Sequence, residues 1–251
     1  MGGVAELWRH PIKSHGREAL NSIDLKAGQS MPWDRHWAVT HEATKFAAHD
    51  PKWVMCRNFM ITAATPSLAG IWTTFDETSG QMTLSHVDRP TFSFNPSNPD
   101  DIPDFIEWVT PLCPPEKRQP KSLITSAPRG MTDSDYPSIS IMTKASHAAV
   151  ETQLGHPLAH ERWRGNIWLD GTVEWDEMGW VGKDLRIGSA VLTIKEPIQR
   201  CMATAANPET GQRDVDTLGA LRDGWDHQYF GVYAIVKSGG TINVGDSYEV
   251  L

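Results

Sequence analysis

Ten of the seventeen prolines fall between Pro90 and Pro137. Proline has no N–H for a strand ladder and a fixed φ, so a stretch this dense in it reads as irregular connecting chain. A short helix over 104–109 is expected to interrupt it. The belt divides the 251 residues into two β-rich parts, for which the expected boundaries are 1–110 and 111–251.

Before the belt, VAELWRHPI, SIDLKAG, HWAVTHE, FMITAA, GIWTTFDE and QMTLSHV are short, rich in aromatic and β-branched residues, and separated by turn residues. DETSGQ predicts a hairpin with Gly80 at positive φ. After the belt, SISIMT predicts a strand that feeds the helix KASHAAVETQLG, with Thr143 as its cap and Gly155 as its stop. NIWLDG, DLRIGSAVLTIKEP and FGVYAIVKSGGTINVGDSYEVL read as strands and hairpins. DVDTLGALRD reads as a short helix capped by Asp214. The fold class is mixed α+β with β dominant, and strands at this spacing suggest a barrel.

The net charge of -8 argues against nucleic acid as main partner, because phosphate backbones need a basic surface. Three cysteines, Cys56, Cys113 and Cys201, are too few and too far apart for a disulfide framework, and no CxxC pair suggests zinc or an iron–sulfur cluster. The opening MGGVAELWRHPIKSHGREAL has no apolar signal core, and no run reaches the ~18 apolar residues of a membrane span. A cytoplasmic location is expected.

Four cations sit at strand edges or turns. Lys13, followed by Ser14, comes after a strand, Arg35 follows Asp34, Arg164 precedes Asn166 by two, and Arg200 precedes Cys201. Each alone reads as an ordinary surface cation. Converging in space they would hold an anion, since arginine offers a planar fork, lysine a point charge and serine a neutral donor. Cys201 ends an alternating apolar run where a polar loop begins. A lone cysteine is usually a small buried hydrophobe, but a thiol beside a fixed cation at a strand end suits a ligand for a soft metal or a nucleophile. Cys56 and Cys113 lie among bulky apolar residues and in the proline belt, and read as bystanders. GxSxG, P-loop and HExxH patterns are absent, so serine hydrolase, nucleotide hydrolase and zinc protease readings have no support.

The ordered series KS, DR, RxRxN, RC, NPETG, FGVY and GD resembles the MOSC family, named for the C-terminal domain of molybdenum cofactor sulfurase. WRHPIKSHGREAL followed by WDRHWAV resembles the N-terminal β-barrel that usually accompanies it. The resemblance implies a MOSC-type β-barrel core packed with an N-terminal barrel-like region, and the arrangement is similar to that of the amidoxime-reducing components and their bacterial counterparts. It further implies a pyranopterin molybdenum cofactor, with Cys201 as thiolate ligand to the metal. Lys13, Ser14, Arg35, Arg164, Asn166 and Arg200, with Thr143 beside them, would hold the pterin and its phosphate. The implied activity is reduction of N-oxygenated small molecules. Some bacterial relatives carry a ferredoxin-like domain that is not found before Leu251, so electrons are expected from a separate ferredoxin-, flavin- or cytochrome-type protein. The stretch HDPKWVMCRNF departs from the reductase pattern. The rival reading from the same residues is a carrier, with Cys201 bearing a persulfide or the protein handing on cofactor; a catalytically silent interaction module is the third.

Overall fold

The computed structural model describes residues 2–47, 51–125 and 129–251; His49 and Asp50, at the head of the divergent stretch, lie outside them. The strands are β1 (Val4–Arg9), β2 (Glu18–Leu20), β3 (Ser22–Leu25), β4 (Trp37–His41), β5 (Trp72–Asp76), β6 (Gln81–His86) and β7 (Arg89–Phe94). Helix α1 (Ile102–Val109) and β8 (Pro120–Thr125) follow, then β9 (Ile139–Thr143), α2 (Lys144–Leu154), β10 (Ile167–Leu169), β11 (Asp184–Ile187) and β12 (Ala190–Gln199). The chain closes with α3 (Thr217–Trp225), β13 (Tyr229–Ser238), β14 (Gly240–Asn243) and β15 (Tyr248–Val250). The architecture is β-dominated α+β, as the patterning indicates. No helix among the described residues is long and apolar enough to cross a membrane.

One eight-stranded sheet, in the order β15-β11-β12-β13-β9-β10-β1-β2, is antiparallel except where β9 and β10 run side by side. It draws β1 and β2 from the start of the chain, and β3 pairs with β14 near its end. Along β1, β9 and β10 successive residues serve opposite faces. Leu7, Ile141, Ile167 and Leu169 join one core with Leu185, Leu192 and Val232, whereas Trp8, Met142 and Trp168 join a second beneath α2 and α3. Strands covered on both faces read as continuous apolar runs, which explains the blunt alternation in this half. A third core gathers Trp37, Phe75, Leu84, Phe94, Phe105 and Trp108 between the β4–β8 pair, the β5-β6-β7 sheet and α1.

The proline belt holds more order than its composition suggests. Beyond the predicted helix it contains β7 and β8. Pro90 is tolerated because β7 is the edge of its sheet, and Pro120 opens β8, positions where a missing N–H costs no ladder bond. Conversely, FMITAA is not a strand. Phe59 makes only an isolated bridge to Thr40, and the chain then turns, with the amides of Ala64 and Thr65 donating to the Ile61 carbonyl. The helix near 217 is capped by Asp216, whose carboxylate accepts from the Gly219 amide at 2.8 Å. Asp214 instead accepts from Arg162 at 3.1 Å and from Asn207 at 2.7 Å. Gly80 (φ 72°) turns the predicted hairpin, and Thr143 and Gly155 cap and stop α2 as the sequence indicates.

Candidate functional site

A cavity of about 410 Å³ opens where the N-terminal segments meet β12, β13 and the loop after Cys201. Lys13, Ser14, Arg35, Arg164, Arg200 and Cys201 all line it, although they are scattered from one end of the sequence to the other. Six non-glycine residues among those described have positive φ, and three line this cavity: Ser14 (64°), Arg35 (51°) and Arg164 (52°). Such conformations cost roughly 1 kcal/mol or more each and persist where the surroundings over-determine them. Gly16 (φ 76°) closes the Lys13–Ser14 turn so tightly that a Cβ would lie 1.6 Å from Thr73 Oγ1.

The cations are held individually. Lys13 Nζ donates to the Met131 carbonyl at 2.7 Å and to Asp133 Oδ1 at 2.5 Å. Arg35 is clamped by Asp34, and it also reaches the Arg164 carbonyl at 3.3 Å. Burial opposes the Arg35 charge, but Asp34 and Asp133 hold its pKa above the ordinary range. Arg200 is satisfied by carbonyls, donating to Phe230 from Nε at 2.8 Å and to Trp163 from Nη1 at 2.9 Å. Burial brings its pKa down to about 10.

Arg164 is the least engaged. Like Arg200 it forms no ion pair among the described residues, and its one side-chain hydrogen bond there goes to the Gly16 carbonyl at 3.2 Å. Burial first, then the charges of Arg35 and Arg17, lowers its pKa to about 9. Five cations line the cavity among the described residues, with Arg162 the fifth, against the carboxylates of Asp133 and Glu196. Asp133 stays ionised: its seat in the cleft favours the neutral acid, yet Lys13 and Arg35 hold its pKa far below the usual range. The cavity therefore carries surplus positive charge inside an acidic protein.

Cys201 is exposed and begins the 3-10 turn Met202–Ala205. Its carbonyl accepts from the Thr204 hydroxyl at 3.0 Å, and Thr204 is tied in turn to Thr217 at 2.6 Å. Its thiol thus faces the cavity from a braced backbone. Two named candidates stand elsewhere. Asn166 is buried behind the lining, where its Oδ1 accepts from the amide and hydroxyl of Ser140 (3.1 and 2.7 Å) and its Nδ2 donates to the Trp8 carbonyl. It acts on the cavity through Ser140, which does line it. Thr143 is fully buried beneath α2, donating to Glu177 at 2.9 Å, and does not reach the cavity.

Sequence reasoning missed Arg162, Asp133, Tyr233 and Cys56. Arg162 was legible as the first arginine of RxRxN. Cys56 had no such signal: it lines the cavity and donates from Sγ to Asp133 at 3.1 Å, while burial, then Asp133, push its thiol up to about 11. Cys113 is buried in the N-terminal core.

The donor set fits an anionic cofactor with a soft metal. A half-buried guanidinium without a carboxylate partner among the described residues and a lysine suit a phosphate, and an exposed thiol suits a soft metal. Residues 129–249 match the MOSC domain model, and residues 1–105 match the MOSC N-terminal beta barrel domain. Human mitochondrial amidoxime reducing component 2 is 24% identical over 98% of this chain and 82% of its own length. The molybdenum cofactor sulfurase of Drosophila grimshawi is 36% identical over 29% of this chain and 9% of its own. Among solved structures, the YUAD protein from Bacillus subtilis aligns over 100% of this chain and 96% of its own, at 13% identity and a TM-score of 0.46. The chain belongs to the MOSC family and carries that family's N-terminal β-barrel domain.

Proposed function

We propose that this protein binds a pyranopterin molybdenum cofactor and reduces N-oxygenated small molecules with electrons from a separate donor protein. The observation that carries the reading is one cavity holding a half-buried arginine with no carboxylate partner among the described residues, further cations and an exposed thiol. Kinship with proteins named amidoxime reducing components supports the same chemistry. When bound, such a cofactor supplies two-electron oxygen-atom transfer at its metal.

The chain's own residues bind and orient. Lys13, Ser14, Arg35 and Arg164 take the phosphate, with Arg164 gaining the anionic partner it lacks. Arg200 adds charge while fixing Trp163 and Phe230, whose rings stack at 3.9 Å. Cys201 supplies the metal's protein ligand. Ile61, Ala63, Pro197 and Tyr233 give the cavity its less polar wall, where the organic part of a substrate is received and water is thinned.

Protein made in a cofactor-producing host is expected to contain molybdenum and to reduce a hydroxylamine or amidoxime when given reduced methyl viologen. Cys201→Ser should keep the fold and abolish turnover, because a hydroxyl replaces a soft thiolate poorly. Equal activity in wild type and Cys201→Ser removes the ligand assignment. Absence of metal together with an added sulfur mass on Cys201 replaces the reductase reading with the carrier reading.

A further inference from the structure

Behind the turn that begins at Cys201 lies a second concavity, a groove of about 440 Å³. The turn is shared: Cys201, Ala203 and Thr204 face the cavity, while Met202 and Ala205 face the groove. Val215 and Leu218 extend its apolar floor, and Met202 is 42% exposed there.

The charges around this floor are unequal in freedom. Asp214 is engaged by Arg162 and Asn207, and Asp216 is engaged as the cap of α3. Asp223 follows Arg222 in sequence but is not part of the lining. Arg213 and Arg222 are exposed and form no ion pair among the described residues. Arg213 donates only to the Ala63 carbonyl, at 2.6 Å, and Arg222 presents its guanidinium to solvent. Two free arginines over an apolar floor, in a protein of net charge -8, match a partner face with an apolar centre and acidic flanks.

We infer that this groove is the docking surface for the electron-donor protein, and that the donor presents an acidic face to Arg213 and Arg222. The inference rests on the reductase reading. Its particular support is position: Met202, on the groove, is one peptide bond from Cys201, so a donor seated there has a short covalent path to the sulfur. For a hydroxylamine the balance is one substrate, two electrons and two protons. The N–O bond breaks, an N–H bond forms, the oxygen leaves as water, and two one-electron donors are oxidised.

The test uses loaded full-length protein with two reductants: a reduced plant-type [2Fe–2S] ferredoxin, which is an acidic carrier, and reduced methyl viologen, a small dication that needs no docking. Arg213→Glu/Arg222→Glu should lower ferredoxin-driven turnover and raise the KM for ferredoxin by about tenfold or more. Its viologen-driven turnover should stay at the wild-type rate. Arg186→Glu, a single charge reversal at an exposed residue of β11, should alter neither, and added salt should slow only the ferredoxin reaction of wild type. Equal ferredoxin kinetics in wild type and the double variant overturn the docking surface, as does a wild type driven by viologen and not by ferredoxin. A loss that tracks dissociation of a dimer in light scattering overturns it in favour of a contact between two copies. A loaded wild type inert to viologen brings down the reductase reading itself, and this inference with it.

Discussion

Strand β1 runs between two ionic clusters of opposite design. Near its start, Glu6 accepts from Trp8 and His160, each at 2.6 Å, and from Lys144. One carboxylate is enclosed by three donors, and the charge is closed. Beyond its end, Lys13 enters a cavity where, among the described residues, five cations face two carboxylates and Arg164 has no ion-pair partner. Ionisation follows the same contrast. Burial works against the Glu6 charge, but His160 and Lys144 overcome it and bring the pKa down to about 2. For Arg164, burial and its cationic neighbours act in the same direction, down to about 9. A closed cluster stabilises the fold, whereas an open one leaves free energy to be recovered when a ligand arrives.

Substituting Arg164 tests that contrast most severely. Arg164→Met should reduce pterin content and anion affinity ten- to a hundredfold, the loss of about 1.5–3 kcal/mol for one charge-assisted hydrogen bond. The same change should raise the melting temperature of the cofactor-free protein, because a half-buried charge with no carboxylate partner among the described residues is removed. The sign agrees with linkage: the folded pKa lies below the unfolded value near 12.5, so stability rises with pH across that window and the charge costs stability at neutrality. A cofactor-free variant less stable than wild type would break the comparison.

The closed cluster should give a smaller and opposite response. Glu6 has a folded pKa below its unfolded value of 4.5, so its contribution is present above that pH and is lost as pH falls toward about 2. The shift corresponds to about 3 kcal/mol at most, and nearer 1–2 kcal/mol after solvent screening of a partly exposed carboxylate. Glu6→Gln should lower neutral-pH stability by that amount, flatten the acid limb of a denaturation series, and leave cofactor content unchanged. Lost cofactor in this variant would mean that the two clusters are coupled through β1.

Thr143 offers the finest discrimination. It caps α2 and donates to buried Glu177, away from the cavity. Thr143→Val should cost about 1–2 kcal/mol from the lost cap and hydrogen bond, with unchanged anion affinity. A fall in pterin content without a fall in stability would return Thr143 to the cofactor site.

The sequence is most legible where local chemistry and tertiary use coincide. Thr143 and Gly155 cap and stop α2, and Gly80 turns its hairpin, because each need is set within a few residues of chain. Pro90 and Pro120 misled for a tertiary reason: a missing N–H is harmful only where a neighbouring strand would use it, and no local pattern marks an edge. FMITAA has strand-like composition, yet no strand pairs along its length, and Ile61 starts a turn. Cys56 could not be placed in the cavity from its neighbours, since its partner Asp133 lies far along the chain.

By itself the sequence determined the β-rich class, the strand and helix caps that depend on nearby residues, and the family, through an ordered motif series whose members are local. It also supplied the residue types an anion and a soft metal would need. Only the tertiary structure decided that those residues share one cavity, that Arg164 is left unpaired while Arg200 is satisfied by carbonyls, and that Asn166 and Thr143 stand away from the lining. Propensity and capping act over a few residues, whereas burial, charge pairing and exposure depend on segments brought together by the eight-stranded sheet, and those quantities do not exist until the chain has folded.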